Sequence, residues 1–158
     1  MSMSLFFRNL FFTILQPGVV AGLVPFLIAR KNFENIAAHA FQIPHYIGIV
    51  VCLAGIGITL HCIANFAIHG RGTLSPADPT QQLVISGLYK FSRNPMYVGV
   101  MLMLIGEAIF TQSTGLLVYS IGVFTAFNLF IVFREEPRLK KDFGTSYHEY
   151  CKTVRRWI

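Results

Sequence analysis

Residues 94–133 read NPMYVGVMLMLIGEAIFTQSTGLLVYSIGVFTAFNLFIVF, and their only charge is Glu107. A helix needs about 20 predominantly apolar residues to cross a hydrocarbon core of ~30 Å, so the stretch predicts two crossings, 96–112 and 115–133. Between them Gln112-Ser113-Thr114-Gly115 is a polar, glycine-ended cluster suited to a tight turn. Working outward, 35–70 carries no charge when its histidines are neutral, and 9–29 carries none at all. These predict two further crossings, 46–68 and 11–29. Composition agrees: 54% of the 158 residues are hydrophobic and 13% charged, where soluble domains carry about 25% charged. Mean hydropathy is +0.57. A small domain still exposes about a third of its chain surface. Such a chain therefore cannot hide its apolar side chains from water, and soluble enzymes, disordered segments and disulfide scaffolds are excluded. Backbone polar groups must be paired inside a bilayer. The fold class is therefore all-α: one integral-membrane domain over 1–158, a bundle of about four transmembrane helices with a cytoplasmic C-terminal helical tail.

Charge placement predicts the orientation. With four crossings, both termini and the 70–94 loop share one side. Of the 13 Lys and Arg residues, all but Arg30 and Lys31 fall there, a positive-inside asymmetry that places that side in the cytoplasm. The net charge of +6 then reads as attraction to an anionic leaflet. Nucleic acid is not an expected partner, because the basic residues flank spans and do not line one soluble face. Ala38-His39-Ala40 has the small-x-small form of a signal-peptide cleavage site, but the apolar stretch before it is too long for an h-region. Cys52, Cys62 and Cys151 form no CxxC or paired framework and read as free structural thiols. No His pair has a zinc spacing backed by a third ligand, so no metal site is expected.

Three places carry chemical information. At Arg93-Asn94-Pro95 a helix start is expected, with Asn94 as N-cap and Pro95 at the first helical position. Its free N–H groups, beside Arg93, favour an anion; the plainer reading is a capped span. Glu135-Glu136 close the fourth span, where carboxylates oppose the helix dipole. They are either neutralised by Arg134 and Arg138 or await a cationic ligand, and Pro137 can open a tail helix behind them. Glu107 is a carboxylate within a span, a functional position by default, although Gln112 and Tyr119 lie near enough to satisfy it. Gly48, Gly55, Gly57, Gly99, Gly106 and Gly122 would let helices approach closely.

Taken together, Leu83-Val84-x-x-Gly87-x-Tyr89-x-x-x-Arg93-Asn94-Pro95-x-Tyr97-x-Gly99, then Glu135-Glu136, then Phe143-Gly144-x-x-Tyr147-x-x-Tyr150 resemble the integral-membrane methyltransferases. That superfamily joins isoprenylcysteine carboxyl methyltransferases and phosphatidylethanolamine N-methyltransferases. The resemblance runs from about Gly70 to Trp157. It implies an S-adenosyl-L-methionine pocket roofed by the cytoplasmic loops and tail. Gln81, Gln82, Leu83, Val84 and Tyr89 would line the pocket, Asn94, Pro95, Met96 and Tyr97 would form its floor, and Glu135 would meet the cofactor's amino group. Glu136 and Arg93 belong to the same motifs. Isoprenylcysteine enzymes usually have His where this chain has Asn94, and often where it has Gln81; Asn-Pro-Met-Tyr is closer to the phospholipid enzymes. The substrate-contacting arginine of the isoprenylcysteine enzymes aligns with Ile131.

The cofactor implied by the resemblance is a sulfonium with a zwitterionic tail. Its ammonium wants a carboxylate such as Glu135, its carboxylate wants helix N–H groups or Arg93, and its adenine wants apolar walls. Methyl transfer is an in-line displacement, so alignment and a dry pocket matter more than acid–base groups, and no catalytic acid or base is assigned. The expected acceptor is an amphiphile or lipid reaching the site sideways from the bilayer, an isoprenylcysteine carboxylate or a phospholipid-type amine. A small cation transporter built on Glu107 and a non-catalytic membrane scaffold are the alternatives.

Overall fold

The computed structural model describes residues 17–37, 40–69 and 83–158. Among them the fold is all-α. Helix α1 (Val24–Ala37) continues a π turn at Val19–Leu23; α2 (Ile43–His69) and α3 (Pro95–Thr111) follow. Helix α4 (Thr114–Phe130) then runs through a second π turn, Ile131–Glu135, into α5 (Glu136–Thr153). Residues 11–16, and the loop residues 70–82 with Gln81 and Gln82, lie outside the described residues.

Both π turns have the same cause. Proline lacks the N–H that would bond the carbonyl four residues back, and its ring clashes with that carbonyl. Pro25 and Pro137 each stand two residues beyond a π turn. The residue four before Pro25 is Ala21, whose φ −112°, ψ 21° leaves the helical region. Widening one turn lets each rod bend without breaking. The irregular first turn also frees the Val20 carbonyl, which accepts a hydrogen bond from the Tyr119 hydroxyl at 3.0 Å. Two expected boundaries change as a result. Helix α1 does not stop at Ala29 but carries Arg30 and Lys31 on to Ala37, since charges end a membrane crossing without ending a helix. The fourth helix does not terminate at Phe133, so the glutamates sit inside a continuous rod.

The centre is the antiparallel pair α2–α3, which meets along glycines seven residues apart. An added Cβ at Gly48 would stand 2.7 Å from the Gly106 carbonyl oxygen, and one at Gly55 2.6 Å from that of Gly99. Only hydrogen fits there, and the two backbones touch. Gly57 has nothing within 4 Å and neither has Gly122, so those two expected contacts are not made. Helices α3 and α4 form a hairpin. Gln112, not Gly115, takes the left-handed conformation (φ 50°, ψ 35°), and Ser113 caps α4 by accepting from the Leu116 N–H. Helix α1 leans on this hairpin, burying Ala29, Ala108 and Leu116 together, with Asn32 Nδ2 donating to the Thr111 carbonyl at 3.0 Å.

Helix α2 and the rod beginning at Thr114 are each long and apolar enough to cross a membrane, and α3 is a shorter apolar helix. Leu53, Leu60, Val118, Ile121 and Leu129 are outward-facing and exposed, as a lipid-facing surface requires. The rod runs for 40 residues, and its first half alone is about 30 Å long at 1.5 Å per residue, the thickness of a hydrocarbon core. Only its first half fits a bilayer, and the polar second half projects beyond. Gly144 kinks that half with φ 50°, ψ −122°, a conformation closed to side chains with a Cβ. Beyond the kink Tyr147, Tyr150 and Val154 pack with Leu83, Leu139 and Phe143.

Candidate functional site

The stretch 83–97, the start of α5 and the chain's last residues converge at one end of the bundle. Val84 and Tyr89 are buried with Cys62 near the end of α2, and Met96 packs on them. Asn65 holds this stretch by donating from Nδ2 to the Ser86 carbonyl at 2.8 Å. The tail returns the contact, since the Tyr150 hydroxyl donates to the Tyr89 carbonyl. Burial raises the Tyr89 phenol, and the adjoining Cys62 and Glu135 raise it further, so it stays neutral at physiological pH.

Asn94 precedes α3 and Pro95 opens it, as the sequence implies, but the Asn94 side chain does not cap the helix. Its Nδ2 donates to the Arg156 carbonyl at 2.9 Å, and its own N–H is met by Ser92 Oγ at 3.1 Å. The Arg93 N–H donates to the Arg155 carbonyl at 2.9 Å. The segment 92–94 is thus laced to the chain's end, a partner invisible to a reading of local spacing.

The two adjacent glutamates have separate fates. Glu136 is buried, and both its oxygens are taken: Arg156 donates Nε–H to Oε1 at 2.8 Å and Nη2–H to Oε2 at 3.0 Å, with Arg93 Nη1 3.3 Å from Oε1. Arg93 Nη1 also donates to Cys151 Sγ. Glu135 instead accepts one hydrogen bond, 3.0 Å from the Tyr97 hydroxyl, while the Tyr97 ring lies 4.7 Å from that of Phe127. Burial raises the Glu135 carboxyl above the usual carboxylate range; the Tyr97 bond and the Arg138 charge pull it back, and Glu136 pushes it up. Of the two readings left open by the sequence, neutralisation by Arg134 and Arg138 is not made as direct ion pairs: Arg156 and Arg93 meet Glu136, and Tyr97 meets Glu135. Arg138 forms no direct ion pair among the described residues.

Of the residues singled out in the sequence, Val84, Tyr89, Met96, Tyr97 and Glu135 come together around one locus, with Leu83 on its tail side. Pro95 is buried in the same layer. Arg93, Asn94 and Glu136 belong to the lacing behind it. Arg156, Phe127 and Cys62 were missed. The first had a signal, because Tyr147, Tyr150 and Val154 continue a helical stripe that delivers Arg155-Arg156 to the site. Glu107 does not make its expected hydrogen bonds, since Tyr119 is spent on Val20 and Glu107 Oε2 is buried without a partner among the described residues. Arg93 Nε and Arg138 Nε share that condition, and they flank the glutamate pair. The described cysteines are free, and no His, Cys, Asp and Glu cluster suited to a metal occurs among the described residues.

No curated protein and no solved structure matches the chain. The family profile of the phospholipid methyltransferases does, over residues 43–146. The match takes in α2, the loop, the α3–α4 hairpin, both glutamates and the tail as far as the Gly144 kink. Spanning two-thirds of the chain and every sequence-predicted site residue, it places the protein in the phospholipid methyltransferase family.

Proposed function

We propose that the chain is an S-adenosylmethionine-dependent methyltransferase whose acceptor is a membrane-embedded or amphiphilic molecule carrying an amine or a carboxylate. The observation carrying this reading is Glu135: a half-buried carboxylate beyond the membrane-crossing half of the rod, held by Tyr97 and with lone pairs to spare. Its neighbour Glu136 is saturated. Such a group suits a cation, and the family supplies a cationic cofactor.

The donor set fits that molecule. Glu135 would bind the ammonium, and the Nε–H of Arg138, unpartnered among the described residues and close to Glu135, is suited to the carboxylate. Leu83, Val84, Tyr89 and Met96 would wall the adenine; Gln81 and Gln82 are assigned to the same pocket on the family resemblance alone. When bound, S-adenosylmethionine supplies an electrophilic methyl on its sulfonium. The protein's part is to orient and to exclude water. Tyr97 and Phe127 hold Glu135 in place, and the tail closes over 83–94. The apolar helices let an acceptor approach from the bilayer side. In the proposed orientation the chain is multi-pass, with both termini and this site on the cytoplasmic side.

Calorimetric titration of the detergent-solubilised chain with S-adenosylmethionine tests the reading. Wild type should bind. Glu135→Gln should keep its fold and lose about 2–4 kcal/mol of binding, the cost of breaking one side of a desolvated charge pair. Binding to wild type and Glu135→Gln alike would remove the glutamate from the site; binding to neither would remove the cofactor.

A further inference from the structure

We infer that Arg156 is a positioning residue that selects which of two adjacent carboxylates faces the ligand. This inference rests on the assignment of Glu135 to the cofactor's ammonium. Consecutive residues on a helix point about 100° apart, so Glu135 and Glu136 differ by little more than a rotation of the rod. The rod has an irregular point at which its register is set, the π turn Ile131–Glu135 just ahead of Pro137. A different resolution of that turn would exchange the two side chains, turning Glu136 toward Tyr97 and Glu135 toward the tail. Helical propensity does not discriminate between the two, since both residues are glutamate.

The chain's end discriminates. Arg156 grips Glu136 with two parallel bonds, 2.8 and 3.0 Å, a fork geometry that fixes direction as well as distance. The guanidinium is itself fixed by its main chain. The Arg156 carbonyl accepts from Asn94, the Arg155 carbonyl accepts from the Arg93 N–H, and the Trp157 indole N–H donates to Asn128 Oδ1 at 3.2 Å on α4. The pair is buried on the Glu136 side and partly open to solvent on the Arg156 side, and setting register is the best-attested use of such enclosed ionic groups. Arg156 lies outside the 43–146 family match, although the glutamates it sorts lie inside.

The consequence is specific. In wild type the two glutamates are not equivalent; without Arg156 the Glu136 carboxylate keeps only the single Arg93 contact at 3.3 Å, and the preference between the two glutamates is weakened. Titration of the full-length chain with S-adenosylmethionine should therefore find Glu136→Gln within about threefold of wild type, with Glu135→Gln weaker by about thirtyfold or more. Adding Arg156→Gln to Glu135→Gln should restore affinity by about fivefold or more, because Glu136, held then by Arg93 alone, can exchange places with the neutral glutamine at 135. A merely structural arginine predicts the reverse, a double variant no better than Glu135→Gln. That result in folded protein, or a Glu136→Gln as damaged as Glu135→Gln, overturns the inference and leaves the cofactor assignment standing. If Arg156→Gln does not fold, the Glu136→Gln measurement decides. Failure of wild type to bind overturns the assignment and the inference together.

Discussion

Adding one carbon at Gly55 should force the two central helices apart. Its Cβ would lie 2.6 Å from the Gly99 carbonyl oxygen and 2.7 Å from the Met103 nitrogen. Comfortable contacts begin at about 3.5 Å, so α2 must retreat by nearly 1 Å. No rotamer change relieves this, because both obstacles are main-chain atoms of α3. Overpacking of this kind costs about 1–3 kcal/mol, against which alanine recovers up to about 1 kcal/mol of helix propensity. The net expectation for Gly55→Ala is a loss of about 1–2 kcal/mol. Gly57→Ala is the control, with nothing within 4 Å of its new carbon; it should be neutral or up to about 1 kcal/mol more stable. Unfolding in mixed micelles, followed by helicity and by Trp157 fluorescence, measures both. Helix α2 carries Cys62 and Asn65 to the site and α3 begins within it, so Gly55→Ala should also weaken S-adenosylmethionine binding while Gly57→Ala does not. Equal stabilities for the two variants, or a Gly57→Ala that is the worse, would refute the seam.

Three other outcomes are expected. Because burial raises the Glu135 carboxyl, S-adenosylmethionine affinity should fall with falling pH at a higher pH than an ordinary carboxylate would give. Removing the Tyr97 bond, which pulls that carboxyl down, moves the fall to still higher pH in Tyr97→Phe. The sign for stability is opposite: the folded state holds the Glu135 proton more tightly than the unfolded chain, so this group's contribution is present at low pH and is lost as pH rises through its raised value. Glu107→Gln should leave S-adenosylmethionine binding unchanged and hold or raise the melting temperature, since it neutralises a carboxylate whose buried Oε2 has no partner among the described residues; loss of the binding-induced shift would move the site to the middle of α3. Single cysteines at Arg30 and Lys90, in a cysteine-free background, should be labelled from opposite sides of a sealed vesicle, Lys90 from the cytoplasmic side, and labelling from one side would overturn the orientation.

What the sequence disclosed and what it concealed divide along chain distance. The helices were legible because hydropathy and turn chemistry act over a few residues, so Pro95 opens α3 and Gln112-Ser113 ends the hairpin where expected. The glycine seam was half legible. A heptad of small residues declares close approach, but Gly57 and Gly122 have the same composition and lie off the contact face. Helix continuity was misjudged wherever charge was equated with an end, at Arg30 and at Glu135. The π turns that make continuity possible are written in Pro25 and Pro137, once each proline is read against the residue four before it.

The pairing of the glutamates was illegible for a physical reason. Arg134 and Arg138 are the near neighbours of Glu135-Glu136, and a local reading gives the charges to them. Glu136 instead takes Arg156, 20 residues on, and Arg93, far upstream. In the extended chain those separations carry an entropic cost that only a finished fold repays. The fold repays it by kinking the tail at Gly144, which carries Tyr150 to the Tyr89 carbonyl and leaves Arg156 beside Glu136. Glu135 is then the carboxylate left over, with Tyr97 on one oxygen, the Arg138 charge nearby and no direct ion pair among the described residues. The cation site proposed here is therefore a remainder. The sequence supplies two equal acids, the tail consumes one, and the asymmetry between them is the chemistry available for binding.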